Sequence, residues 1–124
     1  MLKSPPWFDL PFAFLGAVVS GAIVAWINFG HGMSPALIAA LKQACYTFLA
    51  TGLIVQFCRW LTQRPVAPSL AITMAVSVPL LLNMVLLYIL HSMKGTPEPL
   101  LSVIPGTLLT LIGLMLVVWR IQTK

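Results

Sequence analysis

Apolar residues run along this chain in four long stretches, each broken off by a short cluster of prolines, glycines or charges. Each stretch is close to the roughly 20 residues that a helix needs to cross hydrocarbon. The pattern predicts an all-α integral membrane protein, with four transmembrane helices over residues 11–29, 35–61, 69–91 and 97–119. The whole of 1–124 then reads as a single four-helix transmembrane domain. The connections are short, so consecutive helices are expected to form two antiparallel hairpins.

Local signals mark the boundaries. Trp7 and Phe8 precede the first stretch as an aromatic pair suited to the membrane interface. Ser34-Pro35 reads as an N-cap followed by proline at the first helical position. Arg64-Pro65-Val66-Ala67-Pro68 breaks the second stretch from the third. Thr96-Pro97-Glu98 supplies a cap, a proline and an acid for the start of the fourth. No cleavage site of small residues follows the first stretch, so it is expected to be retained as a span.

Composition agrees with a membrane location. Sixty per cent of the 124 residues are apolar and 7% are charged, whereas a soluble domain carries about 25% charged residues. The mean hydropathy is +1.01. The net charge of +5 is explained by topology, not by nucleic acid, because Lys and Arg gather in cytoplasmic segments. Lys3, Arg59, Arg64, Arg120 and Lys124 fall on one side, while Lys94 and the outer end of the second helix fall on the other. Both termini are therefore expected in the cytoplasm, in a membrane of the bacterial inner-membrane type.

A candidate internal repeat overlies this plan. Gly52 precedes Arg59 by seven residues and Gly113 precedes Arg120 by seven, with His31 21 residues before Gly52 and His91 22 before Gly113. Two such halves would be parallel repeats, an arrangement found in transporters. Any two hairpins with glycines and terminal arginines would look similar.

The residue that most needs explanation is Lys42, seven positions into the second apolar stretch. Measured from Arg59 as an inner boundary, it lies about 25 Å up the helix, within about 5 Å of the outer boundary of a 30 Å core. Snorkelling would suffice there. Its neighbours point further. Cys45, Tyr46, Leu49, Leu53 and Gln56 share its helical face, and Asn28 and His31 belong to the preceding outer turn. Asn28, His31, Lys42 and Tyr46 form a candidate anion-binding set of similar depth. The sequence holds only two acids, Asp9 and Glu98, so a buried lysine would need its counter-charge from outside the chain. An anionic lipid, a lipid-linked substrate or a carboxylate from a partner subunit would serve.

Other chemistries are poorly supplied. Proton-coupled pumps rely on intramembrane Asp or Glu, and no nucleophile–base pair suggests a hydrolase. Cys45 and Cys58 lie about 20 Å apart on one helix and cannot bridge within it; they read as small apolar residues. No metal or cofactor is expected. Ala17, Gly21 and Ala25, in register with Ala13, form a small-xxx-small face for close helix contact, either within the bundle or between subunits. Pro79 with Asn83, and Pro105-Gly106-Thr107 with Thr110, predict kinks whose freed carbonyls Asn83 or Thr107 could satisfy. The leading reading is a small oligomeric membrane protein that binds, and presents or moves, an anionic lipid or lipid-linked ligand near the outer leaflet. The rival is an accessory subunit that packs against a larger membrane complex and has no ligand of its own.

Overall fold

A computed structural model of the chain describes residues 7–93 and 99–123, apart from the side chains of 99, 101 and 102. Lys3, Lys94, the Thr96-Pro97-Glu98 cap and Lys124 lie outside the described residues. The elements are α1 (Leu10–Asn28), a 3₁₀ turn (Phe29–His31), α2 (Met33–Thr62), α3 (Pro68–Met93) and α4 (Pro99–Gln122). At 1.5 Å per residue, the 19, 30, 26 and 24 residues of these helices extend about 28, 45, 39 and 36 Å. All four are long and apolar enough to cross a membrane, and among the described residues there is no strand. The fold is all-α, with four helices.

Residues up to Leu53 form one compact unit and residues from Ile54 a second, with α2 running through both. In the first unit, α1 starts where Asp9 acts as N-cap: its Oδ1 accepts the Phe12 N–H at 3.1 Å. Pro11 fits the first turn, where its missing N–H costs nothing. From there α1 buries one stripe, Ala13, Ala17, Ser20 and Gly21. This stripe packs on α2 in antiparallel register. A Cβ on Gly16 would meet Thr51 Oγ1 at 2.8 Å and Thr47 Cγ2 at 3.3 Å. One on Gly21 would meet the Ala44 Cβ at 3.3 Å and the Ala40 carbonyl oxygen at 3.4 Å. Position rises on α1 as it falls on α2, and the small side chains let the backbones approach. Below this stripe, Phe8 is buried against Gly52 and lies 5.3 Å from the Phe48 ring centroid. The Asp9 N–H donates to the Gly52 carbonyl at 3.0 Å. Much of the rest of α1 is apolar and exposed, with Trp26 at 84%, as suits lipid-facing surface.

The second helix starts earlier than Ser34-Pro35 suggested. Gly32 adopts a φ of +103°, a conformation that glycine takes without steric cost. Its carbonyl accepts the Ala36 N–H at 3.2 Å. Gly32 is thus the N-cap, and Pro35 sits in the first turn and not at its first position.

In the second unit, α3 buries Ala71, Ala75, Pro79, Asn83 and Leu87, a stripe at four-residue spacing. It packs antiparallel on α4: Asn83 reaches Thr110, and Leu87 stands where a Cβ on Gly106 would be. Asn83 Nδ2 donates to Thr110 Oγ1 at 2.9 Å, and Thr110 donates in turn to the Gly106 carbonyl at 2.9 Å. Thr107 donates to Val103 of its own helix. Asn83 and Thr107 therefore do not serve the carbonyls freed by Pro79 and Pro105 in these bonds. Instead, Asn83 and Thr110 link the two helices in the middle of an apolar interface.

Candidate functional site

The candidate residues of the first unit spread along the helix axis. Asn28 and His31 stand together at the α1–α2 turn. Asn28 is half-buried and its Nδ2 donates to the Val24 carbonyl at 2.8 Å, so its amide is turned back onto α1. His31 is exposed in the 3₁₀ turn.

Lys42 and Tyr46 are deeper. Lys42 follows Met33 by nine residues, about 14 Å of helix, and Tyr46 follows it by thirteen, about 20 Å. Ala40 and Ala44, on either side of Lys42, meet Gly21, which lies seven residues or about 10 Å before Asn28. The turn pair and the α2 pair are therefore at different levels, not at one depth. The sequence-based depth for Lys42 was counted from Arg59. The chain pairs the start of α1 with Gly52, seven residues before Arg59, so a frame set by α1 places Lys42 about 10 Å deeper.

The face is also fixed. The positions of α2 that meet α1 include Ala40, Ala44, Thr47, Phe48 and Thr51. At 100° per residue, Lys42 is turned close to 180° from that stripe and Tyr46 about 140°. Lys42 is exposed there, beside exposed Leu41, Leu49 and Leu53. The hydroxyl of half-buried Tyr46 is enclosed and has no hydrogen-bond partner. A buried hydroxyl without a partner costs about 1–3 kcal/mol, and this one lies one turn from Lys42 on α2.

The charge balance around Lys42 is one-sided. Asp9 is the one acidic residue among the described residues. It is buried, caps α1 and is paired by its backbone with Gly52. Gly52 is ten residues from Lys42, about 15 Å along α2. Asp9 was not among the residues that sequence reasoning selected, although the Asp-Leu-Pro-Phe order at 9–12 is a cap signal that could have found it.

The small face of α1 has a clear position. Ala17 and Gly21 are buried, and Gly21 packs on Ala40 and Ala44 of α2. Ala25 is half-buried. Cys45 is exposed and Cys58 is buried, both as free thiols. Among the described residues no group of His, Cys, Asp and Glu could hold a metal ion. The two glycines that suggested a repeat have unlike surroundings: Gly52 is closed by Phe8, while a Cβ on Gly113 would meet nothing within 4 Å. Compared with protein families, curated proteins and solved structures, this chain matches none.

Proposed function

We propose that this chain is a small membrane protein that holds an anionic lipid or lipid-linked ligand against the outer half of α2, with Lys42 as the charge and Tyr46 as a hydrogen-bond donor. The observation that carries the reading is Lys42 itself: exposed, within an apolar helix, on the face away from α1, with the nearest described acid of its unit about 15 Å along the axis. An ammonium at that depth needs a counter-charge, and in this unit the source is external. A phosphate would satisfy the exposed ammonium directly, and would also take the Tyr46 hydroxyl once that enclosed side chain turns outward. Asn28 and His31 would then belong to the outer turn above the ligand, not to its first contacts. A four-helix chain encloses little lumen, so presentation or movement of the ligand calls for a homo-oligomer or a partner membrane protein, in a cell membrane with both termini cytoplasmic.

Native mass spectrometry of the gently extracted protein tests this reading. The wild-type protein should retain an anionic phospholipid, and Lys42→Met in an Arg64→Gln background should lose it by about tenfold or more, the scale of one charge-assisted hydrogen bond. Tyr46→Phe should weaken retention more modestly. Unchanged retention on adding Lys42→Met in that background would sink the proposal. The rival reading, an accessory subunit, draws on the same exposed lysine face: there Lys42→Met leaves lipid unaffected and weakens co-purification with a larger membrane protein.

A further inference from the structure

We propose that the turn between α2 and α3 is a binding site for the phosphate of an anionic phospholipid, built on Arg64 stacked over Trp60. The Arg64 guanidinium carbon lies 3.3 Å from the centroid of the Trp60 ring. Trp60 in turn stacks on Phe57, with centroids 5.7 Å apart and planes at 26°. A guanidinium held flat on an aromatic face is fixed in plane, and its N–H donors point outward from the rim of that plane. This is the geometry in which arginine binds phosphate with two parallel bonds.

The backbone holds the cation in place on both sides. The Arg64 N–H donates to the Leu61 carbonyl at 3.2 Å, and the Arg64 carbonyl accepts from Val66 at 2.8 Å. Pro65 and Pro68 restrict the same short turn. Arg64 is exposed, and among the described residues of its unit there is no carboxylate to neutralise it. An anion from outside the chain can therefore pair with it.

The surroundings choose a lipid over a soluble anion. Trp60, Val66 and Leu70 are 49%, 42% and 50% exposed, so the turn that carries the cation has apolar surface on both its flanks. The antiparallel pairing of Asn83 with Thr110 and of Leu87 with Gly106 brings the end of α4 level with the start of α3. Exposed Trp119 and Arg120 are therefore at the same end. Arginines and tryptophans clustered at one end of apolar helices match the headgroup zone, where aromatic rings meet acyl chains and cations meet phosphates.

This site is separated from Lys42 by 22 positions of sequence, and its test does not depend on the Lys42 reading. Delipidated protein is titrated with phosphatidylglycerol and with phosphatidylcholine, and bound lipid is counted by native mass spectrometry. The titration uses wild type and Lys42→Met, each with and without Arg64→Gln. In the Lys42→Met background Arg64→Gln should weaken phosphatidylglycerol binding about tenfold, in the Lys42 background it should lower the bound count by one per chain, and in both phosphatidylcholine should be unchanged. Trp60→Leu, which removes the stacking surface, should weaken it severalfold, and Arg64→Lys should recover only part of the loss because it restores charge without the planar fork. Helical circular dichroism confirms that each variant is folded. Equal binding of both lipids by wild type, or unchanged phosphatidylglycerol binding in Arg64→Gln, would overturn the site. Displacement of the lipid by millimolar inorganic phosphate would overturn the lipid as its occupant.

Discussion

At position 52 a methyl group has nowhere to go: a Cβ there would run into the ring of Phe8. The same addition at Gly113 meets open space. These two glycines test how much local packing matters in a chain whose helices are bounded mainly by lipid. Gly52→Ala must push Phe8 off α2, disturb its contact with Phe48 and strain the Asp9–Gly52 backbone bond, at a cost of about 1–3 kcal/mol. Gly113→Ala gains helix propensity and should be neutral or stabilising by up to about 1 kcal/mol. Unfolding of the purified protein in mixed micelles reads both. Equal effects would mean that Phe8 is not seated on α2 as described. Gly52 and Gly113 were matched in the sequence by spacing alone, and spacing does not reveal whether an aromatic ring occupies the missing side chain's volume.

At the scale of one helix, α1 depends on Asp9. Its carboxylate accepts from Phe12, and anions are favoured at a helix N-terminus. Asp9→Ala should therefore destabilise the first turn by about 0.5–2 kcal/mol, while Asp9→Asn, which can still accept the bond, should lose much less. Amide hydrogen exchange at Phe12 and Ala13 would report it, with equal exchange in the two variants counting against the cap. The four helices were legible in the sequence because apolar runs of spanning length have few alternative structures. Their ends were less so. The cap-and-proline rule applies to Asp9 and Pro11, where it was not used, and misplaces the start at Ser34-Pro35, where a glycine able to take positive φ begins the helix two residues sooner. The candidate site was partly legible for a related reason. The helical period gave the shared face of Lys42 and Tyr46, but the level of Asn28 relative to Lys42 depends on α1–α2 register. That register is set by contacts of Gly16, Gly21 and Gly52 which no single-helix pattern contains.

For the molecule as a whole, charge predicts the side on which each turn lies. Arg59 ends α2, Arg64 occupies the α2–α3 turn and Arg120 ends α4, whereas the 3₁₀ turn from Phe29 to His31 carries no Lys or Arg. Basic residues beside a span resist translocation, so the arginine-bearing ends are predicted to face the cytoplasm and the 3₁₀ turn the exterior. Single cysteines can test this after Cys45 and Cys58 have been replaced by alanine. Gly30, where a side chain meets nothing within 4 Å, and exposed Gln63 and Thr123 tolerate the change. In intact cells a membrane-impermeant maleimide should label Gly30→Cys, and it should label Gln63→Cys and Thr123→Cys only after the membrane is opened. The reverse pattern would place the Arg64 turn outside and the 3₁₀ turn inside, reversing the side from which each lipid site is reached. Labelling of Gln63→Cys and Thr123→Cys from opposite sides would be more damaging, because the antiparallel α3–α4 pair ties the α2–α3 turn and the end of α4 to one side.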